Sequence, residues 1–269
     1  MTAAKTDDSF TQPDRQPDET RLPHQEGFQL RVLTYNIHSC VNRLGQVSPD
    51  NVLAAIEPLR PDVVALQEVD VGIPRTQYQN QPRLLAERLG MASAFFPTVH
   101  HPEGRYGLAL LSKYDNFQIT SGDLPKLPLS RFEKRAVMHM TLDLPVGRIH
   151  IFNTHLGLFA PERRLQMRTL MGSEWLGSLD AHEPIVFCGD LNAGPRSAVY
   201  RRLAFRLTDV QTLCPPPKAT YSSRRPVFRI DHIFVSEHFK SAKVDVPLNE
   251  TVRRASDHLP LHAELICSI

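Results

Sequence analysis

The 269-residue chain is long enough for one large domain with a substantial core and does not require two. Its 41% apolar and 22% charged residues exclude disorder as the state of the whole chain, and a formal net charge of +2 excludes a strong overall electrostatic bias toward nucleic acid. The four cysteines, Cys40, Cys188, Cys214 and Cys267, make no CxxC or Cys/His zinc spacing, which argues against a disulfide framework or structural zinc and for free thiols in a reducing compartment.

Residues 1–27 are rich in Asp, Gln, Pro and Thr without hydrophobic periodicity, so they are expected to be a disordered tail preceding one domain over 28–269. They lack the apolar core of a signal peptide. No later stretch approaches the roughly 18 apolar residues of a membrane span, so a cytoplasmic location without a transmembrane segment is expected.

From Leu30 the run LRVLTYNIH predicts a buried strand, followed by a helix in PDNVLAAIEPLR and a second buried strand in DVVALQEV that delivers Gln67 and Glu68. A helix is expected over 80–89. Short strand candidates then recur as SAFFPTV, YGLALLSK, FQITSGDLP, AVMHMTLDL and RIHIFNTHL, spaced for antiparallel pairing. PERRLQMRTLMGSEWLGSL predicts a helix with Pro161 near its start, and PIVFCGDLN returns to a buried strand. RIDHIFVS, a short strand near 240–247 and LPLHAELI complete an α/β (α+β) pattern that two packed sheets flanked by helices explain better than a doubly wound parallel sheet.

Polar residues interrupt these apolar strands at a few places, and buried polar groups are costly unless partnered. TYNIH contributes Asn36 and His38, LQEV Glu68, NTH His155, GDLN Asp190 and Asn192, RIDH Asp231 and His232, and SDH Asp257 and His258. Carboxylates with amide oxygens suit a hard cation such as Mg2+ or Mn2+. Singly, each motif has an ordinary structural explanation as a turn, cap or surface ion pair.

In order, TYNIH, LQEV, NTHL, GDLN, RIDHIFVS and SDHLPL resemble the endonuclease/exonuclease/phosphatase (DNase-I-like) superfamily from about Leu30 to Ile269. The resemblance implies a four-layer sandwich, two mixed β-sheets with α-helices outside. It also implies a divalent-metal-dependent hydrolase of phosphate esters, most readily a phosphodiesterase, using in-line attack of water. Glu68 would be the leading metal ligand, supported by Asn36 and Asp257. Asp190 would orient or deprotonate the water, Asn192 and Asn36 would hold phosphate, and Asp231 would orient His258 for charge stabilisation. His155 would contact phosphate or act as leaving-group acid. Its place in NTHL departs from the tyrosine-containing arrangement of the family's apurinic endonucleases, which weakens a DNA-repair reading.

His38 and His232 stay outside the catalytic set. Arg105, Tyr106 and Arg135 fit either the cleft or packing, and the basic face of Arg163, Arg164 and Arg168 reads as a solvated helix rather than a DNA-binding one. Nucleic acid and phospholipid-type substrates are both compatible with the pattern, and no obligate protein partner is inferred. A phosphomonoesterase is the nearest alternative. A silent phosphate-binding scaffold is the other, and Glu68, Asp190, Asn192, Asp231 and His258 together argue against it.

Overall fold

Two apolar runs set the frame. β1 (Phe28–Asn36) and β2 (Val63–Val71) pair in parallel, because the segment between them folds as α1 (Pro49–Ile56) and returns the chain to the starting edge. The computed structural model describes residues 27–42, 44–128 and 130–268, so the expected tail lies outside the described residues except for Gly27. Pro49 suits the first turn of α1, where an amide donor has no helical partner. α2 (Gln81–Leu89) is bounded by Asn80, whose side chain accepts from Arg83 N, and by left-handed Gly90.

β3 (Ala92–His100) and β4 (Arg105–Ser112) form a hairpin beside β2, with β3 at the sheet edge. Pro97 is tolerated there, next to a register shift. The chain then builds a second sheet from β5 (Phe117–Leu124), β6 (Arg135–Leu144) and β7 (Gly147–His155). α3 (Ala160–Leu170) carries it to β8 (Ile185–Asp190), parallel to β7. α4 (Ala198–Ala204), β9 (Thr208–Asp209), α5 (Val210–Leu213) and β10 (Asp231–Val235) follow. β11 (Phe239–Asp245), α6 (Glu250–Ala255) and β12 (Leu261–Cys267) return to the first sheet.

The sheets run β11-β12-β1-β2-β4-β3 and β5-β6-β7-β8-β10-β9. Each is mixed, with one parallel pair, and the two are flanked by helices as expected. Between them lies the larger core, where Val32, Ala65, Leu110, Met138, Ile151 and Cys188 are buried. A second core of Phe152, Met167, Leu170, Phe187 and Leu203 seals α3 and α4 onto the second sheet. Strands covered on both faces read as unbroken apolar runs, which explains why β1, β2 and β8 were conspicuous in the sequence.

The helix expected through residue 179 ends at Leu170. Gly172 follows, and Trp175 then turns inward to the second core. The helices α4, α5 and α6 had no counterpart in the sequence reading. They are seven, four and six residues long, too short for a periodic pattern to stand out. Among the described residues, no helix is long and apolar enough to cross a membrane.

Candidate active site

Strand register assembles the site. Across the second sheet His155 pairs with Asp190 and Asp190 with Asp231, so three polar side chains stand on neighbouring strands at one rim. Adjacent strands are about 4.8 Å apart, a spacing that brings their functional groups into one shell. Gly189 permits this approach: its φ is +149°, and a Cβ there would strike Thr154 O.

The first sheet contributes Asn36 from the end of β1 and Glu68 from β2. Glu68 sits where the β2–β4 register shifts, with φ +57°, so the irregularity turns its carboxylate out of the ladder toward the rim. Asn192 is also left-handed, at φ +48°. Asn36 Nδ2 donates to Glu68 Oε1 (2.9 Å) and to Asp190 Oδ2 (3.1 Å), joining the two sheets' contributions through one amide.

The segment before β12 closes the site. Ser256 Oγ donates to Asn36 O (2.7 Å), fixing this segment against β1. His258 Nδ1 then lies 2.9 Å from Asp231 Oδ2, while its Nε2 is 3.7 Å from Asp190 Oδ2. Burial disfavours a charged His258, but the carboxylates of Asp231 and Asp190 outweigh it and push its pKa up to about 10. Burial and the nearby charge of Asp231 push the Asp190 carboxyl up to about 7, against the pull of His258. Buried opposite charges therefore surround a carboxyl with proton affinity suited to base chemistry.

A model described as the Endonuclease/Exonuclease/phosphatase family matches residues 33–258. The chain belongs to this family. It is 30% identical over 262 residues to the uncharacterized protein YbhP of Escherichia coli K12, covering 93% of this chain and 99% of that protein. Nocturnin of Xenopus laevis is 27% identical over 292 residues, covering 90% of this chain and 73% of nocturnin. The structure of the human Nocturnin catalytic domain with bound sulfate anion superposes with a TM-score of 0.70 at 25% identity, covering 93% of this chain and all of that one. Membership makes the chain a hydrolase, in a family of phosphoesterases and nucleases that generally uses a divalent metal.

A family metal can be tested against the donors present. His38 Nδ1 lies 3.5 Å from Glu68 Oε2 and 3.7 Å from Asp257 Oδ1, so two carboxylates converge on one half-exposed position already taken by a potential cation. The hydrogen bond to Glu68 raises the pKa of His38. Burial opposes ionisation of Glu68, yet the hydrogen bonds from His38 and Asn36 and the charge of nearby His258 hold its carboxyl well below the usual range. A persistent carboxylate, a second carboxylate and the Asn36 amide form a hard-donor set that fits Mg2+ or Mn2+. Asp190, Asp231 and His258 form another group whose ligand atoms lie within 4.8 Å of one another.

His155 is buried, and its Nδ1 is 3.2 Å from Arg135 Nη1; arginine can only donate, so this nitrogen accepts. Burial and the charge of Arg135 push the His155 pKa well down. Its Nε2 faces Asp190 Oδ2 at 3.4 Å and Asn192 Nδ2 at 3.1 Å. Asn192 Nδ2 also donates to Leu156 O (2.9 Å), and Asn192 N donates to Asp190 Oδ1 (2.8 Å).

The structure thus gathers Asn36, Glu68, His155, Asp190, Asn192, Asp231, Asp257 and His258 at one rim. His38 lies beside them, in contact with Glu68 and Asp257. Its place two residues after Asn36 in TYNIH was the available signal. His232 does not join: its Nε2 meets Ala193 O and its Nδ1 faces Asp209 beneath the rim. Arg135 reaches the site through His155, whereas Tyr106 lies under Arg75 at 5.6 Å and Arg105 packs on Phe95. Tyr221 was not anticipated, and its ring lies 4.8 Å from that of His258.

Proposed function

We propose that the protein is a divalent-metal-dependent phosphodiesterase that hydrolyses its substrate by in-line attack of water. The observation that carries this reading is Asp190 itself. Its Oδ2 faces Asn36, His155 and His258, within 3.7 Å of a donor atom of each, in a buried setting that raises its proton affinity.

Asp190 takes a proton as the water oxygen bonds to phosphorus, and the ester P–O bond opposite breaks; the leaving oxygen is protonated from solvent. His258, kept charged by Asp231, stabilises negative charge developing on the phosphoryl oxygens. Asn36 and Asn192 orient phosphate through their amides. The depressed basicity of His155 favours a neutral hydrogen-bonding role toward phosphate over that of leaving-group acid. Glu68, with Asp257 and Asn36, would hold the cation, whose chemistry is to neutralise phosphate charge in the transition state.

The test is a panel of single- and double-stranded DNA, RNA, phospholipids and small phosphate monoesters, each with Mg2+, Mn2+ or EDTA. Metal-dependent cleavage of diesters ahead of monoesters supports the proposal. Preference for monoesters would make the protein a phosphatase, and folded, metal-supplied protein inactive on every substrate would contradict it.

A further inference from the structure

The basic residues of α3 do not act alone. Arg164 and Arg168, one turn apart, line a groove with Met167, and Ala198, Val199 and Arg202 of α4 form its opposite wall. All three arginines are exposed. The arginine ion pairs among the described residues lie elsewhere, on Arg31, Arg75, Arg83, Arg88, Arg135, Arg148, Arg229 and Arg254. One turn beyond Arg202, Phe205 is 90% exposed. A solvated helix face explains scattered cations; it does not explain three cations from two helices converging on one concave track with a bare aromatic ring beyond it.

Both walls of the groove are helices that follow site-bearing segments. α3 follows the loop after His155 and α4 follows the loop after Asn192, and Arg163 on the first turn of α3 is close enough to Asp190 to feel its charge. We propose that the α3–α4 groove binds the single-stranded nucleic-acid chain on one side of the scissile phosphate. Arg164, Arg168 and Arg202 would contact successive phosphates, and Phe205 would offer a stacking surface to a base. This deepens the phosphodiesterase reading by naming a substrate class. A strand of linked phosphates fits guanidinium groups that line a groove with an aromatic ring beside it, the combination single-strand binders use.

The experiment measures equilibrium binding in EDTA, so it does not depend on turnover. Labelled single-stranded DNA and RNA, from a mononucleotide to about 16 nucleotides, are titrated against wild type and the Arg164→Ala/Arg168→Ala/Arg202→Ala variant over a range of salt. Vesicles containing phosphatidylserine are run alongside, and circular dichroism checks the fold. The expected result is affinity that rises with strand length and falls at least tenfold in the variant. The log–log salt slope should become less negative by about 2, at about 0.7 per phosphate for single strands.

Phe205→Ser should weaken binding without changing that slope, and the triple variant should hydrolyse a small chromogenic diester as wild type does. Wild-type affinity and slope in the folded triple variant would overturn the proposal, as would arginine-dependent binding of vesicles but not of strands. Strand binding without hydrolysis of any substrate would sink the phosphodiesterase reading and leave the groove assignment standing.

Discussion

Gln67 and Asn153 join the two sheets inside the core: Gln67 Nε2 donates to Asn153 Oδ1 at 2.7 Å, and both side chains are fully buried. Gln67 precedes Glu68, and Asn153 lies on the same strand as His155. Asn153 Nδ2 also donates to Leu66 O and Ala109 O, each at 2.9 Å, and Gln67 Nε2 to Thr34 Oγ1 at 3.0 Å. The network satisfies carbonyls exposed by the irregularity that re-aims Glu68. It thereby holds the site-bearing strands of both sheets in register.

Asn153→Leu should therefore destabilise by about 3 kcal/mol or more, because it strands two buried carbonyls and a buried amide. It should also lower kcat through misplaced Glu68 and His155. Chemical denaturation and steady-state kinetics check the two effects. Unchanged stability would show that the interior network is dispensable.

The His258–Asp231 pair should behave as one unit. His258→Ala and Asp231→Asn should each lower kcat/KM by about 100- to 10,000-fold with the fold retained. The double variant should cost little more than either single change. Additive losses on a logarithmic scale would mean that the residues act separately.

Glu68→Gln keeps the hydrogen-bonding shape but removes the carboxylate facing His38. The Mg2+ concentration for half-maximal activity should rise by more than the roughly 10- to 100-fold typical of losing an outer-shell partner. An unchanged metal titration would remove Glu68 from the ligand set.

Far from the site, His139 Nε2 lies 2.9 Å from His150 Nδ1 and stacks on Phe152 at 4.2 Å. Burial, reinforced by His150, lowers the His139 pKa to about 4; burial likewise lowers that of His150 despite Glu183. The folded protein favours both rings neutral. Their contribution is present above the unfolded value near 6.5 and is lost as pH falls toward 4. Denaturation midpoints should drop over this window, and more gently in His139→Gln. Identical pH dependence in the two proteins would rule out His139 as the source.

Much of this organisation is visible in the sequence because each catalytic candidate follows or begins an unbroken apolar strand, as in PIVFCGD and DVVALQE. The order of motifs carried the fold and the family, and it named side chains that the fold brings to one rim. What stayed hidden arises from tertiary contacts. TYNIH puts His38 near Asn36, but its contact with Asp257, far along the chain, depends on the fold. Arg202 acquired meaning only when α4 packed beside α3, and α4 is too short to advertise itself by periodicity.

As the proposed base, Asp190 carries the reading of a metal-dependent phosphoester hydrolase. The most direct measurement compares turnover of a chromogenic phosphodiester by wild type and Asp190→Asn, each with Mg2+ or EDTA and with folding verified by circular dichroism. A base role for Asp190 predicts metal-dependent turnover by wild type, reduced by at least about 100-fold in the variant and lost in EDTA. Near-wild-type turnover by Asp190→Asn, or full activity in EDTA, would contradict it.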